Sequence, residues 1–242
     1  MLTAGEHARI HEFVRLTLDW LEQRGFVLTV ESDMRAWADL MRSSPRIVGV
    51  NPTYDPDQSY LTPANAFWLR LQQNGRTIAC SANRFFATDD LVGLIRSMQI
   101  WHDARPLLLG PPYPVVVPPS FPRVSGNVGH SGGLWVHPDF RGQGLSRILP
   151  RLIRVLALRH FDEDWHSTLV NNSLLESGIP RNAYGYTRWE KVIDSYVPLL
   201  GRHETVWLGL MDREEMFACL AGDIDWLGTE GDDQVRHAVA TR

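Results

Sequence analysis

Leu134 to Ser146 reads LWVHPDFRGQGLS, an apolar run that enters a glycine-bearing turn and then opens an amphipathic helix. Gly142 and Gly144 permit a tight turn and carry no Cβ to hold an anion away from the backbone. The amides so exposed stand at a helix N-terminus, where unpaired N–H groups and the helix dipole both favour negative charge. The stretch therefore predicts a strand, a cradle suited to a pyrophosphate, and a helix, in that order. Leu145, Ile148, Leu149, Leu152 and Leu156 form the apolar stripe of that helix; Arg147, Arg151 and Arg154 fall on its other side, which reads as a solvated face. Pro150 lies within it and predicts a kink or a delayed start.

Working outward, Ile10, Phe13, Val14, Leu18 and Leu21 keep helical spacing, with Gly25 as the stop. Strand character follows from Gly25 to Glu31, then a helix over Met34 to Met41 and a loop carrying Pro52, Pro56 and Pro63. Phe67, Leu69 and Leu71 alternate with polar or larger partners up to Asn74-Gly75, the dipeptide of a type I′ hairpin turn, and Thr77 to Phe86 is the returning strand. A helix is expected over Asp89 to Trp101. The segment Arg105 to Arg123 holds seven prolines and almost no periodicity, and reads as a lid or wall, or equally as a surface connection. Beyond the central helix come a strand over Asp164 to Val170, a short helical turn over Ser173 to Gly178, and an antiparallel pair, Lys191 to Leu199 with Thr205 to Leu210. One domain over residues 1–229 is expected, with an insertion at 89–125 and a flexible tail at 230–242.

With 44% hydrophobic and 21% charged residues, the composition is that of a soluble globular protein. A formal net charge of −4 gives no electrostatic reason to expect a nucleic-acid or membrane partner. Cys80 and Cys219 stand far apart and read as two buried free thiols, and no His, Cys and carboxylate cluster has metal-ligand spacing, so no metal is expected. No run approaches transmembrane length and the N-terminus lacks the features of a signal peptide, which makes a reducing cytoplasm the expected compartment.

Three motifs compete for the centre. Gly142-Gln143-Gly144 is half of a dinucleotide fingerprint, but Arg147 stands where the third glycine belongs, and Asp162, Glu163 and Asp164 precede the next strand rather than closing it. Gly129-His130-Ser131-Gly132-Gly133 fits the nucleophile elbow of serine hydrolases, with Ser131 as nucleophile. An elbow needs a helix directly after the serine, whereas strand-like Leu134-Trp135-Val136 follows; a bulged or closely approached strand accounts for the same glycines.

The third reading takes the order hairpin, strand, glycine turn, long helix, strand, short helix, hairpin. In that order the chain resembles the GNAT superfamily of acyl-CoA-dependent N-acyltransferases. The family's turn pattern falls on Arg141, Gly144 and Ser146, the last replacing a small apolar residue. Leu134 and Val136 stand where the family's strand presents main-chain groups to the pantetheine arm, and Asn171 or Asn172 and Gly185-Tyr186 match later positions. The resemblance implies an α/β (α+β) fold: a mixed, mostly antiparallel twisted sheet flanked by helices. It implies acetyl-CoA, or another acyl-CoA, as donor, held by Leu134, Val136, Arg141, Gly142, Gln143, Gly144, Leu145, Ser146 and Asn172.

The implied reaction is direct attack of a primary amine on the thioester in a ternary complex. A backbone N–H near Val136 would face the oxyanion. His130 is the candidate base, on the expectation that it shares a strand face with Gly132, Leu134 and Val136. Tyr184, with Tyr186 as alternate, is the candidate acid for the departing thiolate, and His137 is expected to cap the turn. The acceptor is a small-molecule or peptide amine; Trp68, Trp101 and Tyr113 are candidates for lining its pocket, or for core. A homodimer is left open, and a non-catalytic acyl-CoA-binding module remains the further alternative.

Overall fold

The computed structural model describes residues 1–44, 49–103, 115–197 and 202–240, with backbone only for Val197 and 230–240. Helix α1 (Ala4–Glu22) begins where Thr3 caps the amide of Glu6 and the Glu6 carboxylate answers at the Thr3 amide, a reciprocal cap that satisfies two orphan donors. Gly25, at φ +69°, turns the chain into β1 (Val27–Glu31). Asp33 accepts from the amides of Arg35 and Ala36 and so starts α2 (Met34–Ser43). Asn74 and Gly75 both take positive φ, 50° and 75°, as a two-residue hairpin turn requires. They join β2 (Ala66–Gln73) to β3 (Arg76–Thr88).

The helix expected over 89–101 is shorter, α3 (Leu91–Arg96), and the chain leaves it through Met98 at φ +68°. Of the proline-rich segment, 104–114, and Tyr113 with it, lie outside the described residues, as do 198–199 of the last hairpin. Then follow β4 (Gly126–Val136), α4 (Leu145–Phe161), β5 (Trp165–Asn171), α5 (Asn172–Glu176) and a π-helical turn at Pro180–Tyr184. The hairpin β6 (Arg188–Val197) and β7 (Arg202–Asp212) leads into α6 (Arg213–Ala240).

The seven strands form one sheet in the order β1-β2-β3-β4-β5-β7-β6. Every neighbouring pair is antiparallel except β4 and β5, which α4 joins as the crossover that a parallel pair needs. On one face α1 and α4 bury Phe13, Leu21, Leu145, Ile148 and Leu152 against Leu69, Leu71 and Ala79. On the other, Trp37 of α2 and Tyr54 pack with Trp68, Cys80 and Trp135, and α3 packs with Val128, Val192, Leu208 and Leu210.

Two expectations for the central helix change. α4 begins at Leu145, so Pro150 does not delay it; the missing N–H leaves the Ser146 carbonyl without its donor one turn on. The arginine side is not solvated, since Arg151 and Arg154 are only 8% and 2% exposed. α6 covers them: Asp223 pairs with Arg151, Cys219 Sγ lies 3.3 Å from Arg151 Nη1 and 3.4 Å from Arg154 Nη2, and Trp226 lies 4.1 Å under Arg147. Cys219, Asp223 and Trp226 share one helical face. That face is mixed in polarity because its partners are guanidinium groups, so no clean apolar stripe marks α6 in the sequence.

Candidate functional site

β4 and β5 pair at three register positions only, Val128 with Trp165, Gly129 with His166 and His130 with Ser167, and then diverge. The cause sits in β4. Its register against β3 shifts between Cys80 and Ala82, and Gly133 takes φ +58°, so an extra residue bends the strand away from β5. Glycine is needed at both bulge positions: a Cβ on Gly132 would lie 2.8 Å from Tyr54 Oη, and one on Gly133 would overlap the Trp37 ring.

Side chains close the base of the fork. Thr168 Oγ1 donates to the Ser131 carbonyl (2.8 Å), Tyr186 Oη donates to the Ser167 carbonyl (3.2 Å), and Ser131 Oγ lies 3.0 Å from Tyr186 Oη. Above this floor is a cleft of about 350 Å³, at the lower end of the small-molecule range. Leu134 and Val136 form one wall, Leu174, Ile179 and Tyr184 the other, and Arg141, Gly142, Leu145 and Ser146 the mouth.

The main chain of β4 is available along this wall. The His137 amide donates to the Ile78 carbonyl on the β3 side at 2.7 Å. Successive residues of a strand turn their N–H and C=O to opposite edges, so those of Val136 point into the cleft, where its carbonyl accepts from Arg141 Nε at 3.5 Å. At the mouth, Gly142 and Gly144 both take left-handed φ, +78° and +79°, and Gly144 caps α4 without a side-chain acceptor. The Arg147 and Ile148 amides donate to the Gly144 carbonyl at 2.9 and 3.1 Å, and the two amides ahead of them, of Leu145 and Ser146, precede the first carbonyl that the helix itself could offer. Gln143 and Gly144 belong to this exposed turn but not to the cleft wall. His137 Nδ1 accepts from the Asp139 amide at 3.2 Å, the cap expected of it.

The two candidate proton carriers are separated. Tyr184 faces the cleft, and burial, helped by neighbouring Tyr186, pushes its hydroxyl up to about 12. His130 does not share a face with Leu134 and Val136, because the bulge at Gly133 breaks the alternation. His130 stacks on Tyr54 in the α2-side layer with Trp135, while Leu134 and Val136 pack on the α4 side. It is 2% exposed, and burial, with the Arg84 charge, lowers its pKa to about 3.

Other sequence candidates also find structural places. The Asn172 side chain is engaged by Trp207 Nε1 (2.9 Å) and Glu176 (2.7 Å), and Asn171 caps α5; the structure brings neither to the cleft wall. Ser131 lies inside a strand and 4% exposed, with no strand-to-helix turn around it, so it is not a nucleophile elbow. Trp68 is core, its indole N–H on the Asp33 carbonyl, and Trp101 packs in the α3 cluster.

One buried group escaped the sequence reading. Glu163 lies over Gly129, where a Cβ would overlap its carboxyl. Burial holds Glu163 well above and His166 well below their ordinary ranges, and the two share a hydrogen bond between His166 Nδ1 and Glu163 Oε2 at 2.7 Å. Their i, i+3 spacing across a helix-to-strand junction carries no pattern that marks them as partners. Among the described residues no group of three His, Cys, Asp or Glu is placed to hold a metal ion, and no helix is long and apolar enough to cross a membrane.

No curated protein matches the chain. Among solved structures it is similar to the ribosomal-protein-S18-alanine N-acetyltransferase from Escherichia coli, with 13% identity, TM-score 0.43, and coverage of 77% of this chain and 95% of that one. It is similar to NAA60 of Arabidopsis thaliana in complex with acetyl-CoA, with 10% identity, TM-score 0.46, and coverage of 78% and 99%. The SpeG spermidine N-acetyltransferase from Vibrio cholerae gives 8% identity, TM-score 0.48, and coverage of 80% and 97%. The model of the acetyltransferase (GNAT) family matches residues 34–172, a span that takes in the fork, the bulge and the glycine turn. By that match over more than half of its length, the chain belongs to the acetyltransferase (GNAT) family and is an acyltransferase.

Proposed function

We propose that the protein transfers an acetyl group from acetyl-CoA to a primary amine, a small molecule or a peptide terminus, by direct attack within a ternary complex. The observation that carries this reading is the fork: a β4 edge that parts from β5 after His130 and leads through left-handed glycines to the N-terminus of α4. The pantetheine arm would run along Leu134 and Val136, and the pyrophosphate would take the amides of the turn from Arg141 to Ser146. The amine nitrogen forms its bond to the thioester carbon as the C–S bond breaks. The Val136 N–H faces the developing oxyanion, and the thiolate leaves toward the Tyr184 hydroxyl.

The proton lost by the amine goes to solvent water. Among the described residues lining the cleft there is no carboxylate and no histidine, and Tyr184, raised to about 12, is no base at neutral pH. His130, lowered to about 3, is too weak a base to draw a proton from an ammonium. Holding the two reactants together is then the main source of acceleration. The test is free-thiol release from acetyl-CoA across a panel of amines. Release matched by acylated amine is expected; folded protein that neither binds millimolar acetyl-CoA nor releases thiol would overturn the reading.

A further inference from the structure

We infer that Arg151 and Arg154 are positioning residues that fix the Tyr184 hydroxyl in the cleft by holding the carbonyl row Ala183-Tyr184-Gly185 from behind. The inference rests on the reading of Tyr184 as the group that meets the leaving thiolate. Tyr184 ends the π-helical turn Pro180–Tyr184, and Gly185 follows at φ +78°. Carbonyls at such an end have no donor within the helix.

Each of the three finds a donor from another element. Arg151 Nε donates to the Ala183 carbonyl at 2.8 Å, Arg154 Nη1 to the Tyr184 carbonyl at 2.9 Å, and the Cys219 thiol to the Gly185 carbonyl at 3.7 Å. Gly185 is glycine for two reasons, its left-handed φ and the Arg151 guanidinium, whose Cζ would lie 2.8 Å from a Cβ there. The arginines are themselves fixed. Asp223 of α6 pairs with Arg151, while Arg154 meets Cys219 Sγ at 3.4 Å and lies 5.4 Å from the Tyr186 ring centroid.

Burying two guanidinium groups is costly unless their donors are used. A pair of aliphatic side chains would fill the same space without that cost, but would leave the carbonyl row unheld. Of the row, Tyr184 alone lines the cleft, and neither arginine does. The arrangement thus spends burial on the position of one hydroxyl. It also gives α6, which lies outside the residues matched by the family model, a part in the site through Cys219 and Asp223.

The test places 3-fluorotyrosine at position 184 and reads its ¹⁹F resonance in the full chain, alone and in Arg154→Lys, Arg151→Lys and Asp223→Asn. The lysine variants keep the charge but not the forked reach, and Asp223→Asn frees Arg151 without removing it. A shifted or broadened resonance is expected in each lysine variant. In turnover, Arg154→Lys should lower kcat by about tenfold, with KM for acetyl-CoA within about twofold. In a Tyr184→Phe background the same change should cost nothing further, since there is no hydroxyl left to position.

An unchanged resonance in both lysine variants overturns the inference whatever the protein catalyses. So do losses for Arg154→Lys and Tyr184→Phe that multiply. A moved resonance in a protein whose kcat ignores Tyr184→Phe supports the positioning and overturns the acid reading, so the two failures are distinguishable. Should Arg154→Lys not fold, Asp223→Asn carries the same readout through Arg151.

Discussion

His130 Nδ1 lies 2.9 Å from Ser167 Oγ, at the last register position where β4 and β5 still pair. The Ser167 hydroxyl donates to the Gly129 carbonyl at 3.0 Å, so its oxygen is the acceptor and the imidazole carries its proton on Nδ1. The ring is thereby held neutral at the base of the fork, and we assign it a structural role.

A pH dependence of stability follows from that burial. The folded pKa of His130 is about 3 against an ordinary 6.5, so the unfolded chain takes up a proton that the folded one refuses. This contribution is complete above pH 6.5 and is lost as pH falls toward about 3, with a slope approaching about 1.4 kcal/mol per pH unit. His166 acts in the same direction. Glu163, pushed upward, acts oppositely: its contribution is present below 4.5 and is lost as pH rises through its folded value. Urea midpoints measured across this range should fall less steeply in His130→Asn, and the variant's pH–rate profile near neutrality should match the parent's. A neutral-pH limb that disappears with the histidine would contradict the assignment.

Gly142 isolates the proposed anion cradle. An added Cβ there meets nothing within 4 Å, while φ is +78°, so Gly142→Ala perturbs only the backbone, by about 1–2 kcal/mol if the left-handed turn is kept. Affinity for acetyl-CoA, measured by titration calorimetry, should drop about tenfold as the turn amides reorient. Acetyl-pantetheine, which lacks the pyrophosphate, should be used equally well by parent and variant. An equal loss for both donors would show that the turn does not hold the pyrophosphate.

Ser131 supplies the contrast. Its Oγ meets Tyr186 Oη inside the sheet floor, and Ser131→Ala should cost about 1 kcal/mol of stability, the net worth of one buried hydrogen bond, while acyl transfer persists. A fluorophosphonate should leave the parent protein unlabelled; stoichiometric labelling at Ser131 would restore the hydrolase reading.

What the sequence could express was local. Asn74-Gly75 named its own turn, and Gly142 and Gly144 the tight turn ahead of α4, because each is a demand of backbone geometry on one or two residues. What it misplaced was set across distance. The alternation in β4 put His130 beside Leu134 until one left-handed glycine, required by Trp37 nearly a hundred residues earlier, reversed the faces. The arginines of α4 looked solvated because charge usually is; only the docking of α6 with Asp223 makes their burial tolerable. Asn172 matched a family position by letter, yet its amide is spent on Trp207 and Glu176.

Tyr184 is the residue on which the chemistry can be tested most directly. Burial pushes its hydroxyl up to about 12, so it stays a neutral donor across the working range, whereas a thiol ionises near about 8.5. With that order of acidities the phenol does not hand over its proton before the C–S bond breaks; it donates a hydrogen bond that strengthens as charge gathers on sulfur. Tyr184→Phe removes the donor and keeps the ring that lines the wall. The dissociation constant for acetyl-CoA should therefore change by less than about twofold while kcat falls about a hundredfold, the size of one lost acid contact. The parent should show no alkaline limb from this group at physiological pH, since a group raised to about 12 is still protonated there. If affinity and kcat fall together, Tyr184 shapes the cleft without acting on the leaving group, and the thiolate takes its proton from water.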